Sequence, residues 1–140
     1  MPKQTLPYVV VVDDERVIAE TLTIILNENG FSAVFFTNPL DALESAQTAP
    51  PDLLVSDIMM PQLSGIDLAI RMRALCPACK ILLFSGQTDT AELLTSARGQ
   101  GHSFDLLLKP VHPHDFLRKL RQQESPWPGE DLLPSPMMFG

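Results

Sequence analysis

The segment Tyr8-Val9-Val10-Val11-Val12-Asp13-Asp14 decides the fold of this chain, because a run of β-branched residues stops at two acidic ones. A short, almost wholly apolar run is typical of a strand that is buried on both faces. Residues 15–29 then take up helical spacing, and Gly30 ends the predicted helix. The chain from Tyr8 to Gly30 is therefore predicted to be a strand followed by a helix, with the two carboxylates at the junction.

The change from a strand-like apolar run to helical spacing of apolar residues recurs along the sequence. The body of the chain is therefore predicted to be five strand–helix units. The later strands are predicted at residues 31–36, 53–56, 80–84 and 105–108. The later helices are predicted at residues 38–47, 66–75, 90–98 and 113–123, the second of them burying Ile66, Ala69 and Ile70. Such alternation predicts an α/β fold, a parallel sheet with helices on both faces. Ligands of such sheets bind beyond the carboxyl ends of the strands.

Length and composition restrict the classes of protein that the chain can belong to. A chain of 140 residues with 45% hydrophobic content is long enough for one domain with its own core, predicted at residues 1–123. The net charge of −7 argues against non-specific binding to nucleic acid, which depends on Lys and Arg. The apolar runs are too short to cross a bilayer, and residues 1–5 contain no secretion signal. We therefore expect a cytoplasmic protein without membrane contact.

Residues 124–140 have a different composition from the rest of the chain. They hold four of the 13 prolines and three acidic residues but no Lys or Arg. We expect a Pro-rich tail that is too short to be an effector domain. Its large apolar residues are Trp127, Leu132, Leu133, Met137, Met138 and Phe139. Two expectations stay open for this tail, disorder and packing on its own domain or on a partner.

Polar side chains that can bind a ligand or react follow four of the predicted strands. They are Asp13, Asp14, Asp57, Ser85 and Lys109. Because the carboxyl ends of parallel strands share one edge of the sheet, we expect these side chains to meet. Neighbouring carboxylates repel one another, so their convergence favours a bound cation, and Mg²⁺ prefers such oxygen ligands. A phosphoryl group would be attracted to this site, where an Asp can be its covalent acceptor.

The motifs at these strand ends form a specific set. They are Val11-Val12-Asp13-Asp14-Glu15, Val55-Ser56-Asp57-Ile58-Met59-Met60-Pro61, Gly65, Ser85-Gly86 and Lys109-Pro110. With this set, residues 8 to about 122 resemble the response regulator receiver domains (CheY-like) of two-component signal transduction. The resemblance implies a flavodoxin-like, doubly wound five-stranded parallel sheet of strand order 2-1-3-4-5.

The resemblance also implies roles for the acidic residues. Asp57 resembles the phosphoacceptor, which takes a phosphoryl group from a sensor histidine kinase or a histidine phosphotransfer protein. Asp14 resembles the direct Mg²⁺ ligand, and Asp13 resembles the ligand that acts largely through water. Asp57 and the backbone carbonyl of Met59 would complete the protein's share of the metal ligands.

Other positions resemble the parts of the family's switch. Lys109 would pair with the phosphoryl oxygens, and its bond to Pro110 is expected to be cis. Ser85 would move to the phosphoryl group, and Gly86 would leave the pocket open to small phosphodonors. Leu106 departs from the pattern, because the family usually has Tyr or Phe there.

The lifetime of the phosphoryl group depends on two further positions in this family. Met59 is apolar and could shield the group from water, whereas Gln87 is polar and cannot act as a charged base. We therefore expect slow self-dephosphorylation.

The resemblance implies a stand-alone switch of protein–protein contacts and not an enzyme. A diffusible output and an intermediate carrier in a phosphorelay are equally compatible with the residues. The downstream target is unknown, and a homodimer is expected to use the face of the fourth helix, fifth strand and fifth helix. An aspartyl-phosphate hydrolase would need an acid two residues after its nucleophile, where this chain has Met59. A flavin carrier would need a phosphate loop after the first strand, where Asp13 and Asp14 would repel the phosphate.

Two other features have simpler explanations. Cys76-Pro77-Ala78-Cys79 has the spacing of redox and zinc sites, but it ends a predicted helix where a thioredoxin-like motif opens one. A structural or incidental role is expected for this pair. Arg118, Lys119 and Arg121 form a basic patch on the last predicted helix, expected to be a solvated face or a docking surface.

Overall fold

A computed structural model describes residues 6–86, 95, 104–108 and 112–121 of the chain. Its strands are β1 (Tyr8–Val12), β2 (Ser32–Phe36), β3 (Leu53–Asp57), β4 (Lys80–Ser85) and β5 (Asp105–Leu108). Its helices are α1 (Arg16–Asn27), α2 (Pro39–Ala46), α3 (Gly65–Leu75) and a helix at Pro113–Arg121, which is the last among the described residues and is called the last helix below. Thr95 is helical, but the rest of the helix predicted at 90–98 lies outside the described residues, as does the predicted tail at 124–140.

The five strands form one parallel sheet in the order β2-β1-β3-β4-β5, which confirms the predicted flavodoxin-like arrangement. From β1 the chain first adds β2 on one side and then crosses to add β3 on the other. The strand order therefore reverses between the carboxyl ends of β1 and β3, which is where sheets of this kind bind ligands. Asp13 follows the last residue of β1, and Asp57 is the last residue of β3.

Apolar side chains cover both faces of this sheet. α1 and the last helix pack on one face, where Leu26 and Phe116 join alternate residues of β1, β3 and β4. α2 and α3 pack on the other face, where Ala42 and Met72 join the remaining residues of the same strands. All residues of β3 are buried, as are all but the first residues of β1 and β4. Burial on both faces explains why these strands are almost wholly apolar.

Local sequence signals explain where two of the helices begin. The side chain of Asn38 accepts a hydrogen bond from the backbone N–H of Leu40 at 2.9 Å, and Pro39 occupies the first turn of α2. At α3, the hydroxyl of Ser64 accepts a hydrogen bond from the backbone N–H of Asp67 at 3.1 Å. Within the described residues, no helix combines the length and the apolar character that a membrane span requires.

The buried face of α3 is wider than its spacing predicted. Ile66 and Ala69 are buried as expected, whereas Ile70 is only partly buried and Met72 is completely buried. The prediction for Ile70 was therefore wrong in part. α3 contacts α2 as well as β3 and β4, so its apolar surface turns toward both. This second contact belongs to the tertiary structure and leaves no separate signal in the spacing.

Candidate functional site

Three carboxylates meet at the reversal point of the sheet. One carboxylate oxygen each from Asp13, Asp14 and Asp57 lies within 4.8 Å of the others. Asp13 is completely buried and Asp57 is 5% exposed, whereas Asp14 faces solvent. The convergence expected from the sequence is therefore present for all three acidic residues.

The backbone after β1 fixes the direction of the first two carboxylates. The backbone N–H of Asp13 donates to the carbonyl of Phe36 at 3.2 Å, which extends the pairing of β1 with β2 by one residue. Oδ1 of Asp13 accepts a hydrogen bond from the backbone N–H of Glu15 at 2.9 Å. This short turn holds the carboxylate of Asp13 inside the sheet edge and places Asp14 on the solvent side.

Asp57 is held by the backbone of the two central strands. It lies opposite Phe84 in the β3–β4 register, and the N–H of Ile58 donates to the carbonyl of Phe84 at 3.1 Å. The buried hydroxyl of Ser56 donates to the carbonyl of Asp57 at 2.8 Å. This hydrogen bond gives Ser56 a part in holding the backbone at Asp57, a role that the quoted motif around Asp57 did not reveal. A hydroxyl within an otherwise apolar buried strand is the signal that could have found it, because a buried hydroxyl requires a partner.

Gly65 lets the start of α3 pack directly on the backbone of Asp57. Its N–H donates to the carbonyl of Ile58 at 2.8 Å. A Cβ at residue 65 would collide with the carbonyl oxygen of Asp57 and would lie 2.9 Å from the Cα of Ile58. Gly65 belongs to the motif set quoted from the sequence, and the close approach of the Asp57 backbone is the physical reason for a glycine there.

Among the remaining predicted site residues, the structure describes Ser85, Gly86, Met59 and Leu106. Ser85 ends β4 and is buried, Gly86 follows it and is exposed, and the side chain of Met59 is 51% exposed. Leu106 of β5 is partly buried and packs against the same apolar cluster as Phe104, so the two side chains lie on the same face of the sheet. Lys109, Pro110 and Gln87 lie outside the described residues.

The donor set at this edge fits a hard divalent cation. It consists of carboxylate oxygens, two of them on buried residues, and buried like charges at this spacing are unfavourable without a compensating positive charge. Mg²⁺ takes oxygen ligands, keeps several waters and needs few carboxylates. The exposed side chain of Asp14 leaves the solvent side of the cluster accessible for that purpose.

The cysteine pair lies between α3 and β4, at the end of the sheet away from the carboxylates. Burial is the main cause, and the neighbouring Cys76 a smaller one, of a rise in the pKa of the Cys79 thiol from 9.0 to about 12. A thiol with such a pKa is a weak nucleophile and a weak metal ligand. The thiol also ionises more readily in the unfolded chain than in the folded one. The stability that it contributes is therefore fully present below pH 9, and the free energy of unfolding falls as the pH rises from 9 toward 12.

We expect the two thiols to differ sharply in reactivity. Iodoacetamide at mildly alkaline pH should alkylate the partly exposed Cys76 and should reach the buried Cys79 only after denaturant is added. Peptide mass spectrometry measures the two sites separately, with the Cys76→Ser variant as the control for assignment. Rapid alkylation of Cys79 in the native chain would contradict the structural role proposed for this residue.

Comparison with known proteins identifies the family of this chain. The family description "Response regulator receiver domain" matches residues 9–121. The DNA-binding response regulator MtrA of Mycolicibacterium paratuberculosis is 30% identical over 113 residues, which are 81% of this chain and 49% of MtrA. The transcriptional regulatory protein CreB of Escherichia coli is 29% identical over 110 residues, 79% of this chain and 47% of CreB. The chain thus spans about half the length of these curated relatives.

Solved structures have the same fold. The signal receiver domain of an HD domain-containing protein from Pseudomonas fluorescens superimposes with a TM-score of 0.76 at 26% identity, covering 87% of this chain and 89% of that one. The chemotaxis protein CheY4 of Vibrio cholerae gives a TM-score of 0.74 at 25% identity, covering 84% and 98%. Together with the match over residues 9–121 and the acidic cluster between β1 and β3, these similarities establish that the chain belongs to the response regulator receiver domain family.

Proposed function

We propose that this chain is a cytoplasmic phosphorylation switch in which Asp57 accepts a phosphoryl group from a sensor histidine kinase or a histidine phosphotransfer protein. One observation supports this proposal above the others. Asp57, at the end of a fully buried strand, has its carboxylate within 4.8 Å of those of Asp13 and Asp14. Such a cluster combines a nucleophile with the ligands of a metal ion.

Each acidic residue has its own part in the proposed reaction. A carboxylate oxygen of Asp57 forms a new bond to phosphorus, while the bond from phosphorus to the donor's imidazole nitrogen breaks and its electron pair stays on that nitrogen. Asp13, Asp14, Asp57 and the backbone carbonyl of Met59 would hold Mg²⁺. When bound, Mg²⁺ supplies positive charge beside the oxygens of the transferred group. Lys109 is proposed to supply a further positive charge there.

Mass spectrometry after incubation with acetyl phosphate tests the acceptor directly. We expect a phosphoryl adduct on a peptide that contains Asp57, formed with Mg²⁺ and absent when the metal is chelated. Asp57→Asn should remove the adduct, because the amide cannot act as the nucleophile. Asp67→Asn is the matched control, since Asp67 is exposed on α3 and has no proposed part in the reaction. An adduct that persists in Asp57→Asn would refute the assignment.

The side chain of Met59 is proposed to prolong the life of the phosphoryl group. It lies two residues beyond Asp57 and is half-exposed, so it can exclude water from the attacking side without hydrogen bonding to it. Met59→Asn should shorten the half-life of the phosphorylated chain, measured by the decay of the adduct after the phosphodonor is removed. Leu75→Asn changes a similarly exposed apolar residue at the far end of α3 and should leave the half-life unchanged.

Phosphorylation is proposed to change the contacts that this domain makes with other proteins. The new negative charge at Asp57 would recruit the hydroxyl of Ser85, the last residue of the adjacent strand. Leu106 replaces the family's aromatic residue, so the response would pass through the loop after β4 or through a smaller movement of Leu106. The contacts proposed to change are those with a downstream protein and those of a homodimer through the face of the fourth helix, fifth strand and fifth helix. A histidine phosphotransfer protein that withdraws the phosphoryl group would identify the chain as a phosphorelay carrier.

A further inference from the structure

The segment Cys76-Pro77-Ala78-Cys79 forms a tight turn between α3 and β4. The backbone N–H of Cys79 donates to the carbonyl of Cys76 at 3.0 Å, which is the hydrogen bond that closes a four-residue β-turn. The first and last Cα atoms of such a turn lie within about 7 Å of each other. A disulfide bond spans a Cα separation of about 4.4–6.8 Å, so the turn holds the two cysteines close to the distance that a disulfide needs.

The two sulfur atoms face the same part of the protein. The Sγ of Cys76 donates to the carbonyl of Pro51 at 3.5 Å. The Sγ of Cys79 donates to the carbonyl of Lys80 at 3.4 Å. Pro51 and Lys80 adjoin each other at the amino ends of β3 and β4, because the N–H of Lys80 donates to the carbonyl of Asp52 at 3.0 Å. Both cysteine side chains also pack in one apolar cluster, and after burial the charge of Cys76 is a further cause of the raised pKa of Cys79.

Neighbouring groups hold this turn in shape. The N–H of Cys76 donates to the carbonyl of Met72 at 2.8 Å, which ties the turn to the end of α3. Nε of Arg73 donates to the carbonyl of Cys79 at 3.4 Å, and the same guanidinium lies 5.0 Å from the ring centroid of Phe104. The backbone of the turn is therefore ordered before any bond joins the sulfurs, so a disulfide would cost it little further conformational freedom.

Burial gives the two thiols different parts in such a reaction. Cys76 is partly exposed, so a molecule in solution can reach its sulfur, whereas Cys79 is 2% exposed. A buried thiol with a raised pKa reacts poorly with molecules in solution. It can still attack a sulfur that is held beside it, because the reaction is then intramolecular. Cys76 would therefore react first, and Cys79 second.

We infer that Cys76 and Cys79 form a reversible disulfide site that is oxidised by a small-molecule disulfide such as oxidised glutathione. The site lies at the amino edge of the sheet, whereas Asp57 lies at the carboxyl edge, so oxidation here is independent of the proposed phosphoryl transfer.

The reaction proceeds in two exchange steps. The thiolate of Cys76 attacks one sulfur of oxidised glutathione, the disulfide bond of glutathione breaks, and one glutathione leaves as a thiolate that takes up a proton. Cys79 then loses its proton to water and its sulfur bonds to that of Cys76. The mixed disulfide breaks in this second step, and the other glutathione leaves in the same way. Two cysteine thiols are thus oxidised while one glutathione disulfide is reduced to two thiols, and excess reduced glutathione reverses both steps.

Mass spectrometry of the native chain of 140 residues after incubation with oxidised glutathione tests the site. Trypsin cleaves after Arg73 and Lys80, so both cysteines stay in the single peptide 74–80. Once free thiols have been blocked, we expect this peptide to have lost two hydrogen atoms and to carry no glutathione. Cys79→Val should retain glutathione on Cys76, because the thiol of the second step is missing. Cys76→Ser should retain none, since the remaining thiol is buried, and circular dichroism checks that both variants fold.

A titration with mixtures of oxidised and reduced glutathione separates the contribution of the fold from the mere closeness of two thiols in the sequence. Because the native turn already holds the cysteines together, we expect the equilibrium constant for disulfide formation to be several-fold larger in the native chain than in urea. This measurement uses the unaltered chain, so it does not depend on the folding of a variant.

Several results would overturn the inference. Glutathione retained on the native chain would show that Cys79 cannot reach the mixed disulfide, and a native chain that does not react would show that Cys76 is inaccessible. A disulfide between two copies, visible by non-reducing electrophoresis, would show that Cys76 pairs with another chain. An equilibrium constant no larger in the native chain than in urea would show that the turn does not favour the bond.

Discussion

The variant Gly65→Ala is expected to lower the free energy of unfolding by about 1–3 kcal/mol and to slow phosphoryl transfer to Asp57 severely. The added Cβ would collide with the carbonyl oxygen of Asp57, and Ile58 is too close to give way. Both groups belong to the backbone, so neither can move by a change of rotamer. Either α3 shifts away from β3 or the end of β3 moves, and in both cases the carboxylate of Asp57 leaves its place beside Asp13 and Asp14.

Urea denaturation and the rate of adduct formation from acetyl phosphate measure the two effects separately. Gly30→Ala is the matched control, because Gly30 has a φ of 92° but nothing within 4 Å of its added Cβ. That change should cost stability through backbone strain and should leave the transfer rate unaltered. A Gly65→Ala chain with native stability and native transfer rate would show that the close packing of α3 on Asp57 is unimportant.

Replacing Phe84 by Ala is expected to destabilise the chain by about 3–5 kcal/mol, the largest loss of stability among our predictions. Phe84 is among the largest fully buried side chains and packs in the apolar cluster under α1 and the last helix. Its carbonyl also accepts the N–H of Ile58, so repacking around the cavity would disturb the segment that follows Asp57.

Thermal or urea unfolding measures this loss, and Phe35→Ala provides the comparison. Phe35 lies on the edge strand β2, is only partly buried and has the guanidinium of Arg16 at 5.6 Å from its ring centroid. Its replacement should therefore cost clearly less than that of Phe84. Equal losses for the two variants would contradict the central place of β4 in the core.

Much of this architecture could be predicted because its signals are local. The all-apolar run before Asp13 predicts a buried strand, and Asn38-Pro39 predicts the start of α2. The meeting of Asp13 with Asp57 follows from parallel topology, since Asp13 comes directly after β1 and Asp57 ends the neighbouring strand β3. These inferences need only the period of the sequence and the geometry of a parallel sheet.

Other features depend on tertiary contacts and could not be predicted in the same way. Met72 is completely buried in an apolar cluster that residues of α2 and of the sheet share, and the helical spacing of α3 alone does not reveal how many elements cover it. The hydrogen bond from Ser56 to the carbonyl of Asp57 depends on a rotamer inside the core. The need for glycine at residue 65 arises from the distance between two elements, which the spacing of residues does not encode.

The uneven burial of the strands has a consequence for how the sheet can respond to a change of charge at Asp57. Every residue of β3 is buried, whereas β5 has two exposed and two half-buried residues and lies at the edge of the sheet. Opening buried backbone costs more free energy than opening exposed backbone, so the centre of the sheet resists displacement more than this margin. We therefore expect a displacement that begins at the carboxyl end of β3 to be taken up more readily at the edge strand β5 than at the centre of the sheet.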